Sequence, residues 1–417
     1  MPALPKSSEE AVQAMEHVPG EYKKYLARTI NSMYGQAIVF VSPRAQQAVQ
    51  EAEVKFISAD ATFNIVPKIF YQFFSLMGEI KGQMLPLGYA LMSGKEEGLY
   101  LAVVEELKLA LGEQHFQPSQ AVSDYEPAIG NALESHFPEL TVTGCSFHFS
   151  KSLYGRIAKL HLTPLYYQDE SFRSWARMLM SLPLLPPNLI KSVYKDLIKG
   201  QKDCPQWAQK GVRSFKKYVT SYWLERVKPE KLSVFQVERR TNNHLESYHR
   251  WLKGHIPPVS AKLNLWVFVS RLNDFISSMD LDFERLAGGL KVHRPMPRSR
   301  MAAEEQLKEL KKSLLEGEIS PLCYLVTAKA TIGGKEQALA EQGGAESGEE
   351  DYESAEENDG DADKENTPPV CMICLAEPVK IILLPCAHAK FCIGCGSGLG
   401  VCPLCSAAVV QTIEVIL

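Results

Sequence analysis

Eight thiol and imidazole side chains near the C-terminus are spaced for metal binding. Cys371-x2-Cys374 leads, eleven residues precede Cys386-x-His388, three more lead to Cys392-x2-Cys395, and six more to Cys402-x2-Cys405. Each Cys-x2-Cys turn can aim two sulfurs at one ion. Eight soft ligands complete two tetrahedral Zn²⁺ sites with none left over. Seven of the ten cysteines fall in this stretch, and the N-terminus MPALPKSSEEAVQAM lacks the basic-then-apolar pattern of a secretory signal. Metal ligation is therefore expected in place of disulfides. A module this small buries little apolar surface, so zinc would supply much of its folding free energy.

A second chemistry is spread along the middle of the chain. Asp60 lies in SADATF, Asp124 in VSDYE and Glu246 in RTNNHLESYHRWLK. Three carboxylates converging at a sheet edge could hold two Mg²⁺ or Mn²⁺ ions, hard cations that prefer oxygen ligands. Ions about 4 Å apart would stabilise the attacking and leaving oxygens of a phosphodiester displacement. Between the second and third acid, GCSFH contains Cys145 and His148. Two ligands do not complete a zinc site, so they read as a buried thiol and a hydrogen-bonded histidine near the acids. A role for His148 beside DNA or a scissile phosphate is the alternative. Asn242 and Asn243 precede a predicted helix and are expected to cap it, while His244, His249 and His255 receive no metal role.

The elements that must position these groups follow from periodicity. VKFISADATF, FYQFFSLMGEI and QMLPLGYALM are rich in β-branched and aromatic residues. They read as three antiparallel strands, the last two joined at the turn-like Lys81-Gly82. Leu99, Val103, Leu107 and Leu111 mark one face of a helix. A strand ending at Asp124, a helix (PAIGNALESHF), a strand (TVTGCSFHF) and a helix (SKSLYGRIAKL) complete a mixed sheet covered by helices. Asp60 thus falls in the first of these strands, Asp124 at the end of the fourth and Glu246 early in a later helix. Strand ends are where such sheets bind ligands.

Residues 1–53 read as a helical segment, with Ser7-Ser8-Glu9-Glu10 as a capping box. The all-helical stretch at about 165–235 reads as an insertion into a domain spanning 54–325. Residues 326–369 read as an acidic, disordered linker too poor in large apolar side chains to offset its ordering entropy. A separate module occupies 370–417.

Hydrophobic residues make up 45% and charged residues 23% of the 417, which excludes collagen-like and wholly disordered chains. No apolar stretch is long enough to span a bilayer, so no membrane is expected. The formal charge is −4, but Ala345–Glu365 carries eleven acids and one base. Without that block 44 basic and 38 acidic residues leave +6, a balance that permits nucleic-acid contact. Lys151, Arg156, Arg239, Arg240, Arg250 and Lys253 are candidate phosphate contacts. A nuclear or cytoplasmic location is expected, the nucleus first; secretion is not.

The C-terminal ligand order, three cysteines, one histidine and four cysteines, resembles a RING finger, particularly the C-terminal RINGs of inhibitor-of-apoptosis proteins. That resemblance implies a cross-brace. Cys371, Cys374, Cys392 and Cys395 would take one zinc, and Cys386, His388, Cys402 and Cys405 the other. It also implies binding of a ubiquitin-conjugating enzyme through Ile373, Pro403 and Leu404, transfer of ubiquitin to a substrate lysine, and a homodimer formed through the tail VVQTIEVIL. Two departures stand out: Ser406 follows the last ligand where many active RINGs have a basic residue, and Ile416 and Leu417 occupy the end where related dimeric RINGs carry an aromatic.

DATF-x3-P-x2-FYQ, PLGYALM, SDYEPAI, GCSFHF and RTNNHLES, in that order, resemble the transposase domain of Mutator-like elements. This implies an RNase H-like fold with Asp60, Asp124 and Glu246 as the DDE catalytic acids, and a Cys-x2-His at Cys145 and His148. Mutator-type transposases usually carry a DNA-binding zinc module upstream, whereas the residues before Val54 contain no cysteine. Either an upstream part is missing or recognition of terminal repeats has been lost. The expected architecture is an α/β RNase H-like mixed sheet with an all-helical insertion, plus a zinc-stapled RING. The expected function is RING-type ubiquitin ligation, with the other domain reading DNA or substrate. A Mg²⁺-dependent DDE nuclease or transposase with a regulatory RING, and a non-catalytic dimeric DNA-bound scaffold, are the alternatives.

Overall fold

The turn at Lys81 and Gly82 fixes the centre of the sheet. Both residues have positive φ, 46° and 76°, the conformation that a two-residue hairpin with right-twisted strands requires. It joins β4 (Gln72–Ile80) to β5 (Gln83–Met92), with Ile80 opposite Gln83 and Gln72 opposite Met92. Antiparallel to β4 runs β3 (Phe56–Thr62), and parallel to β3 come β6 (Gln120–Ser123) and β7 (Thr141–Gly144). Nearly every residue of β4 and β5 is buried, as expected of strands covered on both faces.

The computed structural model describes residues 2–63, 65–201, 204–256, 264–292, 298–332, 380–384, 388–397 and 408–414. The chain divides into two units, residues 1–153 with 174–331, and residues 154–173 with 332–417. The first unit is mixed α/β.

Its N-terminal part departs from the helical reading of residues 1–53. Helix α1 (Ser8–His17) begins as expected, with the Ser7 side chain accepting the Glu10 N–H and Glu10 accepting the Lys6 N–H. The chain then forms β1 (Leu26–Ser32) and β2 (Gly35–Phe40), which extend the sheet to seven strands in the order β1-β2-β5-β4-β3-β6-β7. The cause is the apolar run Ala37–Phe40, fully buried, which pairs with β5 from Ala37 opposite Met92 to Phe40 opposite Tyr89. Helix α2 (Pro43–Glu51) follows, capped by Ser42.

One face of the sheet is covered by α3 (Glu97–Leu111) and α4 (Pro127–His136). Leu99, Val103, Leu107 and Leu111 are all buried in a core with Ile129, Leu133, Phe74 and Leu87. After β7, α5 (Ser146–Lys159) starts four residues earlier than the continuous strand TVTGCSFHF would allow. The last ladder bond is donated by Cys145 N–H to Ser123 O, and the Phe149 N–H already donates to Cys145 O in a helical turn.

Among the described residues of the predicted insertion the regular elements are helices: α6 (Thr163–Gln168), α7 (Glu170–Met180), α8 (Pro187–Lys199), α9 (Gln209–Tyr218), a π-helical segment Val219–Val227 and α10 (Pro229–Leu232). Then come α11 (Asn243–His255), α12 (Leu265–Ala287), α13 (Arg298–Leu315) and α14 (Pro321–Ile332). Helix α14 carries the helical region past residue 325, where the linker was expected to begin, because Tyr324, Leu325 and Ala328 are fully buried. Residues 333–369 of that linker lie outside the described residues.

In the second unit, β8 (Ile381–Leu384), β9 (His388–Phe391), α15 (Ile393–Gly396) and β10 (Gln411–Glu414) form a small module. Its sheet order is β10-β8-β9. The tail strand pairs antiparallel with β8 of its own chain, Gln411 opposite Leu384 and Glu414 opposite Ile381. No helix among the described residues is long and apolar enough to cross a membrane.

Candidate functional site

Parallel pairing of β3 and β6 brings the first two acids together. Ala59 lies opposite Ser123, so Asp60 and Asp124 leave neighbouring strands at the same level. Asp60 is 9% exposed, and its Oδ1 accepts the Ala61 N–H at 2.8 Å. Burial and the facing Asp124 carboxylate push its pKa well above the ordinary range, against the opposing pull of His148 and the Ala61 N–H. Two carboxyl groups in one dry site resist ionising together. Asp124 Oδ1 is buried without a hydrogen-bond partner.

Glu246, in the first turn of α11, closes the centre from the other side. Its Oε1 lies 3.5 Å from His148 Nε2. His148 stands in the first turn of α5, not on the strand where it was expected, and Cys145 is the fully buried residue between β7 and that helix. Burial disfavours charge on His148, but the Cys145 sulfur and the Asp124 and Asp60 carboxylates outweigh it and push its pKa up to about 10. His148 thus stands beside the carboxylates of Asp124, Asp60 and Glu246.

The chain entering α11 is anchored at several points. Arg239 pairs with Glu79 at 2.7 Å and donates to Gly82 O, on the β4–β5 hairpin. Arg240 O accepts from both the Ser146 N–H and its hydroxyl, and the Asn242 N–H donates to Cys145 Sγ at 3.4 Å. Arg240 itself pairs with Glu304, so two of the candidate phosphate-binding arginines are committed to carboxylates. Tyr248 stacks on Tyr89 and shares a hydroxyl–hydroxyl hydrogen bond with it at 2.5 Å. Asn242 occupies the position before α11, yet its side chain makes no capping hydrogen bond, contrary to expectation. Gly144, at the end of β7, admits the Tyr125 ring so closely that a Cβ there would lie 2.0 Å from it.

Two further residues, not assigned a role from the sequence, lie beside these acids. His249 Nδ1 lies 3.6 Å from Asp60 Oδ2. Glu126 accepts from Tyr100 at 3.1 Å, and burial together with Asp124 raises its pKa to about 6. The D-Y-E spacing could have indicated Glu126, but nothing in the sequence pairs His249 with Asp60.

Whether this centre fits a cation can be judged from its donors. Asp124 Oδ1, His148 Nδ1, Tyr125 OH, Asn242 Oδ1 and Nδ2, and Asn243 Oδ1 are all buried without hydrogen-bond partners. Native interiors leave few such atoms, and each calls for an explanation such as a bound water or ion. Asp60 and Asp124 offer hard oxygen atoms of the right kind for Mg²⁺ or Mn²⁺. Even so, no three His, Cys, Asp or Glu side chains among the described residues converge tightly enough to enclose an ion. The aspartate pair offers hard oxygen donors, while Glu246 rests on His148.

Residues 56–152 match the family model of the MULE transposase domain, and residues 367–412 match the zinc finger of C3HC4 type, the RING finger. The chain carries both. Together they mark a transposase-derived RING protein. No curated protein matches the chain significantly. The MULE match contains Asp60, Asp124, Cys145 and His148; Glu246 and His249 lie beyond it.

All eight predicted zinc ligands fall inside the RING match. Of these, Cys392 and Cys395 are among the described side chains. Cys392 caps α15, and its Sγ accepts the Cys395 N–H at 3.4 Å, a turn whose donor set suits zinc. His388 opens β9. Cys371, Cys374, Cys386, Cys402 and Cys405 lie outside the described residues, as do Ile373, Pro403, Leu404, Ser406, Ile416 and Leu417.

Proposed function

We propose that this protein is a zinc-dependent RING-type E3 ubiquitin ligase whose transposase-type domain engages DNA or the substrate. The observation that carries the reading is the complete eight-ligand order inside the C3HC4 match. In the cross-brace assignment, Cys371, Cys374, Cys392 and Cys395 hold one zinc, and Cys386, His388, Cys402 and Cys405 the other. These ions shape the module; the chain itself binds the conjugating enzyme through Ile373, Pro403 and Leu404. An autoubiquitination assay with a panel of conjugating enzymes tests this. Ile373→Ala is expected to lose chain formation while retaining two zinc ions. Undiminished chains in that variant would remove the docking assignment, and no chains from the unaltered protein with any enzyme would remove the ligase.

The module is proposed to dimerise through β10, the edge strand of its sheet, where Val410 is 83% and Ile413 41% exposed. A Val410→Glu/Ile413→Lys variant should sediment as a monomer where the unaltered protein sediments as a dimer. If the variant remains dimeric, association lies elsewhere in the chain.

A second reading is favoured by the Asp60–Asp124 pair and the unpaired polar atoms around it. In this reading the first unit is an RNase H-like domain, supported by a three-stranded antiparallel meander followed by two parallel strands. Asp60 and Asp124, joined by Glu246, would supply oxygen ligands to Mg²⁺ or Mn²⁺. A bound divalent ion would stabilise charge on the oxygens exchanged at a phosphodiester. His148, beside Glu246, can donate a hydrogen bond to a phosphate oxygen.

A further inference from the structure

We propose that His249 is a positioning residue for Asp60, holding this carboxylate in the orientation in which it meets a divalent cation. The inference rests on the second reading above, that Asp60 and Asp124 bind metal.

The imidazole of His249 is 6% exposed and is held at both nitrogens. Nδ1 faces Asp60 Oδ2 at 3.6 Å, and Nε2 lies 3.2 Å from Ser75 Oγ. Ser75 is the residue directly opposite Asp60 in the β3–β4 ladder. One ring therefore spans two adjacent strands at the level where the acid sits. In the tautomer with Ser75 O–H donating to Nε2, Nδ1–H is directed at the carboxylate.

A serine, a histidine and an aspartate in this order could also form a nucleophilic triad. Burial excludes that use. Ser75 is fully buried in the interior strand β4, so its hydroxyl cannot reach a substrate. What remains is an orienting contact. Oδ1 of Asp60 accepts the Ala61 N–H and Oδ2 faces His249 at 3.6 Å, so the two contacts bias the orientation of the carboxyl group.

The arrangement is repeated on the opposite wall. His148 Nε2 stands 3.5 Å from Glu246 Oε1, so the first and third acids each rest against an imidazole. His249 lies on the same helix as Glu246, one turn further on, and the neighbouring Tyr248 is fixed to Tyr89 on β5. The contact from His249 thus couples the placement of α11 to the orientation of Asp60. Carboxylates that ligate metals depend on such supporting partners, whose removal weakens metal affinity by about 10- to 100-fold.

The test is Mn²⁺ binding by the full-length protein, measured by electron paramagnetic resonance, with thermal unfolding of the metal-free proteins in parallel. His249→Ala is expected to weaken Mn²⁺ binding by about tenfold or more. Two amide replacements separate orientation from bulk. His249→Asn places an amide nitrogen near the position of Nδ1 and should restore most of the affinity. His249→Gln reaches toward Ser75 instead and should not. Equal affinity of the Asn and Gln variants, or unweakened binding by the Ala variant, would overturn the positioning role. Asp60→Ala serves as the reference. If the unaltered protein binds no Mn²⁺, or Asp60→Ala binds it equally well, the metal reading fails and the proposal falls with it. If Asp60→Ala loses binding and the His249 series is flat, the proposal alone is wrong.

Discussion

Cys392→Ala is expected to release zinc from the C-terminal module and abolish ubiquitin-chain formation, whereas Cys323→Ala should change neither. Cys392 is 5% exposed and does two jobs at once. It caps α15 and accepts the Cys395 N–H, so removing its sulfur takes away a ligand and the acceptor that shapes the turn. Among the described residues the apolar support around it is slight. Ile381, Leu383 and Phe391 are buried, each contributing about 1.5–3 kcal/mol at most, far less than the ordering entropy of a module of this length. Structural zinc contributes about 10–16 kcal/mol in small zinc-stapled peptides, so losing one ligand in four should unfold much of the module. Cys323 is an exposed thiol on α14, outside the RING match. The readout is bound zinc per chain together with autoubiquitination. Chains formed at the unaltered rate by a Cys392→Ala protein with less zinc would show that the zinc turn is unnecessary for transfer.

Features encoded by neighbouring residues were legible in the sequence. The Ser7 cap, the turn at Lys81-Gly82 and the face Leu99-Val103-Leu107-Leu111 each depend on spacings of a few residues. The structure has all three. The antiparallel meander follows from the same logic, since strands buried on both faces carry continuous apolar runs. Strands β1 and β2 escaped because LARTINS mixes polar and apolar residues and sits between helix signals; β1 is held by pairing with β2, and β2 by pairing with β5. The first turn of α5 escaped for a related reason. SFHF has strand-like side chains, but the partner strand ends at Ser123, and the chain turns helical once its ladder is exhausted. Asp60, Asp124 and Glu246 could be named from motif order, whereas their supporting residues could not. His249 meets Ser75 across 174 residues of sequence, a contact created by the docking of α11 onto the sheet.

Asp60→Asn should abolish any Mn²⁺-dependent DNA nicking and, at the same time, stabilise the metal-free protein. The two effects share a cause. Burial and the Asp124 carboxylate raise the Asp60 pKa in the folded state, so the folded protein binds this proton more tightly than the unfolded chain does. The stability associated with that proton is fully present below the unfolded value, about 3.9, and is lost as pH rises through the raised folded value. At neutral pH the native carboxylate is therefore a liability that a neutral amide of the same shape removes. The expected gain is read as a higher Tm than that of the native protein at neutral pH in chelator. In chelator the advantage of the variant should grow from pH 4 toward neutrality. Adding Mn²⁺ should reverse the ranking, because a ligand at about a hundred times its Kd stabilises its folded host by about 2.7 kcal/mol, and Asp60→Asn would lose most of that gain. Thermal unfolding of both proteins across pH, with chelator and with Mn²⁺, reads all of this. A variant less stable than the native protein in chelator at pH 7 would mean that Asp60 serves the fold. A variant stabilised by Mn²⁺ as strongly as the native protein would place the metal elsewhere. The predicted crossing, variant ahead without metal and native ahead with it, is the signature of an acid kept in a costly position for the cation it receives.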